Sequence, residues 1–148
     1  MAAGFKLVKA PHSSSHVEEL PISSLTLAVG DMLELDVGAT TWTTADSATE
    51  HWQKKAVVQE AATSSATVVK AIPVLPGQIW EAESANDAAT ADNGDRMLLT
   101  DQNTVNNTGT DNTSEEACFI QRGFAGATTD KRLLGEVVFG TGINPDAA

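Results

Sequence analysis

The chain has 148 residues, 41% of them hydrophobic, which is enough to bury one independent core. Nine Lys and Arg stand against twenty Asp and Glu, a formal net charge of −11 that repels nucleic-acid phosphates and anionic membranes, so partners of either kind are not expected. The single cysteine excludes an internal disulfide framework, and the longest uncharged apolar stretch, 71–80, falls well short of the roughly 20 residues that a membrane span needs.

In chain order, residues 1–21 read as an extended arm, with Pro11, Pro21 and a serine tract between them. No apolar core of a secretory signal accompanies Lys6 and Lys9, so synthesis and folding in a cytosol are expected. The clearest pattern lies in 25–37, where Leu25, Leu27, Val29, Leu33, Leu35 and Val37 share one parity and Glu34 and Asp36 take the other. That is the period of a strand with one buried and one wet face, interrupted at Gly30-Asp31 by a turn or bulge. A short strand is predicted around Trp42, then a loop. Strands centred on Ala56-Val57-Val58 and on 66–72 flank a polar turn at 61–65, and Pro73 and Pro76-Gly77 punctuate the exit.

Residues 78–84 form a further candidate strand, and 82–91 has the composition of one helical turn as well. Asn93-Gly94 predicts a type I′ hairpin leading into a strand at 96–100. Residues 101–114 are almost wholly polar and read as an exposed loop. Strands at 116–122 and 132–139 close the domain, and 140–148 reads as a tail. The expected architecture is therefore all-β: a compact small β-barrel or β-sandwich over 22–139, with an extended N-terminal arm and a short C-terminal tail.

Chemistry is sparse in this pattern. His12 and His16 lie in a segment that Pro11 and three serines keep from being helical, and no ligand set for zinc accompanies them; His51 stands alone beside Trp52. The acidic pairs Glu18-Glu19, Glu34 with Asp36, Glu81 with Glu83, and Glu115-Glu116 read as a solvated face of an acidic chain. Asp87, Asp92, Asn93 and Asp95 cluster around Gly94 in the manner of a weak calcium site, but the EF-hand spacing fails, and a polar turn accounts for them. Cys118 sits in an apolar run and reads as a small buried hydrophobe. There is no phosphate-binding glycine motif and no nucleophile elbow. No catalytic residue, metal or cofactor is assigned. Trp42, Trp52 and Trp80 read as core or interface anchors, with a sugar-stacking platform as the alternative.

The segments 27–37 (LAVGDMLELDV), 55–60 (KAVVQE) and 79–83 (IWEAE), in that order, resemble the head decoration or cement proteins of tailed bacteriophages, with Gly30-Asp31 and Ala56-Val57-Val58 at the matching positions. The resemblance covers roughly residues 20–139, and the Asn/Thr-rich stretch 101–114 has no counterpart in it. It implies a non-enzymatic virion protein on the capsid exterior. Such a protein binds the major capsid protein and itself, as a homo-oligomer with a trimer favoured. On that reading the arm carries the capsid contact, with Phe5, Leu7 and Val8 as apolar anchors and Lys6 and Lys9 facing an acidic shell. The competing expectations are another virion part, such as a tail-tube or head-completion protein, and a carbohydrate-binding or adhesion module built on the tryptophans.

Overall fold

A computed structural model describes residues 4–11, 15–108 and 112–145, and among them the regular structure is eleven strands and two short 3-10 turns, with no α-helix. In chain order the strands are β1 (Lys6–Lys9), β2 (Glu18–Pro21), β3 (Met32–Leu35), β4 (Thr43–Thr44), β5 (Lys54–Val58), β6 (Val68–Pro73), β7 (Ile79–Ser84), β8 (Arg96–Asp101), β9 (Thr104–Asn106), β10 (Phe119–Phe124) and β11 (Arg132–Val137). The all-β expectation holds, as a barrel joined to a curled second sheet.

One sheet runs β1-β7-β11-β10-β8-β9, and β9 returns to pair with β7, so β7, β11, β10, β8 and β9 close a five-stranded barrel. One side of β7 serves two neighbours. Ile79–Glu81 takes β1, and Glu83–Ser84 takes β9 in parallel. The second sheet runs β2-β6-β5-β3-β4. It curls until its two edges meet, where Ile22 bridges Trp42 and the Trp42 amide donates to the Pro21 carbonyl at 2.8 Å.

Two apolar clusters fill these sheets. Phe5, Trp80, Met97, Phe119 and Leu133 belong to the first, and Leu20, Ile22, Leu27, Val58 and Val69 to the second. Strands β3 and β5 stand between them and alternate in allegiance: Met32 and Val57 join the first cluster, Leu33, Ala56 and Val58 the second. A strand apolar on both faces is expected wherever one wall serves two cores.

Several expectations change. The predicted arm is two strands of the domain, because Phe5, 3% exposed, inserts into the first cluster and its amide donates to the Gly30 carbonyl at 2.9 Å. Gly4 makes that docking possible: a Cβ there would lie 2.5 Å from the Gly30 carbonyl oxygen. Residues 1–3 and 12–14, including His12, lie outside the described residues. The one-sided strand at 25–37 shrinks to Met32–Leu35. Val29 and Val37 are exposed, and Glu34 is buried because its face turns to the first core. Asn93-Gly94 makes no β-hairpin. Asn93 (φ −61°, ψ 127°) and Gly94 (φ 92°) build a type II turn closed from the Asp95 amide to the Asp92 carbonyl, just after the 3-10 turn Thr90–Asp92. The polar stretch 101–114 contains β9, whose Val105 is fully buried in the barrel; 109–111 lie outside the described residues. The tail is packed as well. Gly140 is buried, and a Cβ on it would meet the Gln53 carbonyl at 2.0 Å.

The predicted strand pairs are present. β5 pairs β6 with Val57 opposite Ile72, and β10 pairs β11 with Phe119 opposite Val137.

Candidate functional site

Barrel closure removes most free edges from this fold, and the second sheet joins its own two edges through Ile22 and Trp42. Among the described strands, β1, β2 and β4 each pair on one side only; the ends of β2 and β4 approach each other at the Ile22–Trp42 bridge, whereas no strand or bridge meets the outer side of β1. Its residues divide cleanly. Leu7 packs against the first core, whereas Lys6, Val8 (53% exposed) and Lys9 face outward. A shift of register between Leu7 and Lys9 bends the strand where it leaves β7. Of the five predicted arm residues, then, Phe5 is a core side chain and no surface anchor, and Leu7 is half-buried. The structure leaves Lys6, Val8 and Lys9 presented together on an open edge.

A cleft of about 570 Å³ adjoins this strand, lined by Gly4–Leu7, Val29, Gly30, Gln59, Ile72, Glu81 and Arg132. Arg132 is buried and donates from Nε to Glu81 at 2.9 Å and from Nη2 to the Gly4 carbonyl at 3.3 Å. The Gly30-Asp31 step forms its neighbouring wall. The Asp31 carboxylate accepts the Ala28 amide at 2.9 Å and reaches the Asn103 amide group, tying this turn to the loop between β8 and β9.

The three tryptophans separate. Trp80 is fully buried in the first core and donates to Gln78; Trp52 is buried and donates to Glu50. Trp42 is half-buried against the second core and lines a groove of about 340 Å³ with Pro73, Val74, Leu75 and Phe139, rimmed by His16, Glu18 and Lys54. A platform of three exposed rings is absent, which removes the main support for glycan stacking.

The remaining polar candidates serve turns. Asn93 accepts from Gln121 at 2.9 Å and Asp95 from Asn112 at 3.2 Å, and among the described residues no three His, Cys, Asp or Glu side chains gather as a metal site. His16 pairs with Glu18 at 3.0 Å on the surface.

One cluster was not foreseen. Lys55 is 2% exposed, and its ammonium donates to the carbonyls of His51, Gln53 and Val138 at 2.9, 2.9 and 3.0 Å. Burial lowers its pKa from the ordinary lysine value, with Cys118 and Glu34 pulling it back up. Burial, reinforced by Asp36 and Asp46, raises the Glu34 carboxyl to about 7. Burial pushes the Cys118 thiol to about 11, and it donates to the Thr49 carbonyl at 3.0 Å. A thiol so far from its thiolate is no nucleophile. The cluster fastens the 45–53 loop and Val138 to β5. Nothing in the local sequence signals it, because an exposed Lys54 precedes Lys55 and only the pairing of β5 with β3 decides which lysine turns inward.

No helix among the described residues is long and apolar enough to cross a membrane. No family model, curated protein or solved structure matches the chain.

Proposed function

We propose that the chain is a non-enzymatic virion protein that docks on the outer surface of an assembled phage head and bridges neighbouring capsid subunits through the open edge of β1. The observation that carries this reading is that edge: a strand paired on one side only, bearing Lys6, Val8 and Lys9, on a fold whose two other edge strands approach each other at the Ile22–Trp42 bridge. An open edge offers main-chain donors and acceptors to an extended partner segment, which is a recurrent mode of recognition. The two lysines give it a positive sign on a chain of net charge −11, so the edge attracts an acidic shell while the rest of the surface stays outward. The resemblance to decoration proteins supports the same reading; copies at symmetric capsid points would then let modest contacts add through avidity. Stabilisation then follows by mass action, because the protein binds the assembled shell and not its free subunits.

The test is co-sedimentation with undecorated heads of the phage that encodes the chain. Deleting the first twenty residues would remove Phe5 and most of two strands, so it would unfold the protein and report nothing about the edge. Lys6→Gln/Lys9→Gln leaves the core untouched. Saturable binding by the native chain, weakened at least fivefold in the double variant, is expected. Absence of head binding, or rings assembled by the protein alone, would refute the proposal.

A further inference from the structure

The cleft beside β1 holds an incompletely satisfied cation. Arg132 is 7% exposed, and Glu81 takes only its Nε, at 2.9 Å. Nη2 reaches the Gly4 carbonyl at a long 3.3 Å, and the buried Nη1 has no acceptor among the described residues. A buried guanidinium donor left unmade is costly, and the loss is recovered when an acceptor arrives. Lys6 lines the same cleft as Arg132, which reaches it from β11 across β7, and Lys9 lies further along β1 outside the cleft lining. Their only acidic neighbour in the cleft lining is Glu81, whose carboxylate is already engaged by Arg132.

From this geometry we infer that the cleft takes the carboxylate of an Asp or Glu side chain carried by an extended protein segment lying along β1. The inference rests on the docking reading above and names the partner's chemistry. The open edge selects an extended backbone, and the cleft is lined by the start of that same strand, Lys6 and Leu7, with Gly4 and Phe5 before it. The guanidinium then selects a planar carboxylate over a neutral amide of the same shape.

The probe is the capped tripeptide acetyl-Val-Asp-Val-amide, with its Asn counterpart as control, titrated into ¹⁵N-labelled full-length protein. Saturable amide shifts at Gly4–Leu7 and Gly30 are expected, with the Asp peptide at least fivefold tighter than the Asn peptide and losing that advantage in 0.5 M salt. Lys6→Gln, on the exposed strand, should weaken the Asp peptide at least threefold while leaving the rest of the spectrum in place. Arg132→Lys should abolish the preference of Asp over Asn. Equal affinities, no saturable shift up to about 20 mM peptide (about 2 kcal/mol of binding free energy at 1 M standard state), or shifts confined to the Trp42 groove would overturn the inference. Head binding separates the two readings. If heads bind and saturating Asp peptide does not compete, the carboxylate inference fails while docking stands. If the Asp peptide is preferred and heads never bind, the reverse holds.

Discussion

Glu34 lies in β3 between two cores, a position poorly suited to a carboxylate. Burial is the largest reason its pKa rises to about 7, Asp36 and Asp46 add to it, and Thr49 and Gln53 oppose it. The unfolded chain holds the same carboxyl near 4.5, so the folded state binds the extra proton. Its contribution is therefore fully present below about 4.5, is lost as pH rises through about 7, and spans up to about 3 kcal/mol. Urea unfolding of Glu34→Gln against the native chain should show the variant gaining stability relative to native between pH 5 and 8; parallel curves would show the carboxyl to be solvated. Lys55 carries the opposite lesson. Removing its ammonium in Lys55→Met strands three carbonyls, one buried and two partly buried, and should cost about 3 kcal/mol, measured by the same unfolding curves. Lys70→Met, which breaks only an exposed 3.3 Å pair with Glu60, should cost under about 1 kcal/mol.

At the scale of elements, what was legible depended on how locally each strand is specified. The runs Ala56-Val57-Val58 and Leu133-Leu134 declare themselves, and the turns beside them contain the residues turns need, so β5–β6 and β10–β11 were readable as pairs. Strand β9 was hidden because Thr104-Val105-Asn106 has one apolar side chain, and only barrel closure against β7 makes a strand of it. Glu34 misled for a related reason: alternation implies one wet face, but β3 has none. The Gly30-Asp31 break and the burial of Cys118 were correctly visible, whereas the inward turn of Lys55 and the Arg132–Glu81 pair depend on strand register alone. The first strand departs furthest from its sequence pattern. Pro11 and the serines do interrupt the chain, yet Phe5 before them is a core residue. Phe5→Ala should cost about 3–5 kcal/mol in thermal or chemical unfolding. Val8→Ala, three residues on and half exposed, should cost under about 0.5 kcal/mol. Similar losses at the two sites would mean that β1 does not dock as described.

For the whole molecule, the outer side of β1 stands open among the described strands, and Lys6 and Lys9 make it positive on an acidic body. Rigidity elsewhere follows from a closed barrel and a shared wall, so association is expected to change the edge and little else. Lys6 and Lys9 were legible as local positive charges near the start of an acidic chain, but their place on a sheet edge and the presence of Arg132 in the adjoining cleft follow only from the fold. The most direct measurement is amide hydrogen exchange, read by mass spectrometry, on the protein free and bound to undecorated heads. Protection rising at least tenfold in the peptide that contains residues 6–9, with barrel strands β8, β10 and β11 unchanged, is the expected result. Binding to heads without added protection at β1, or with protection centred on Trp42 and Phe139, would contradict it.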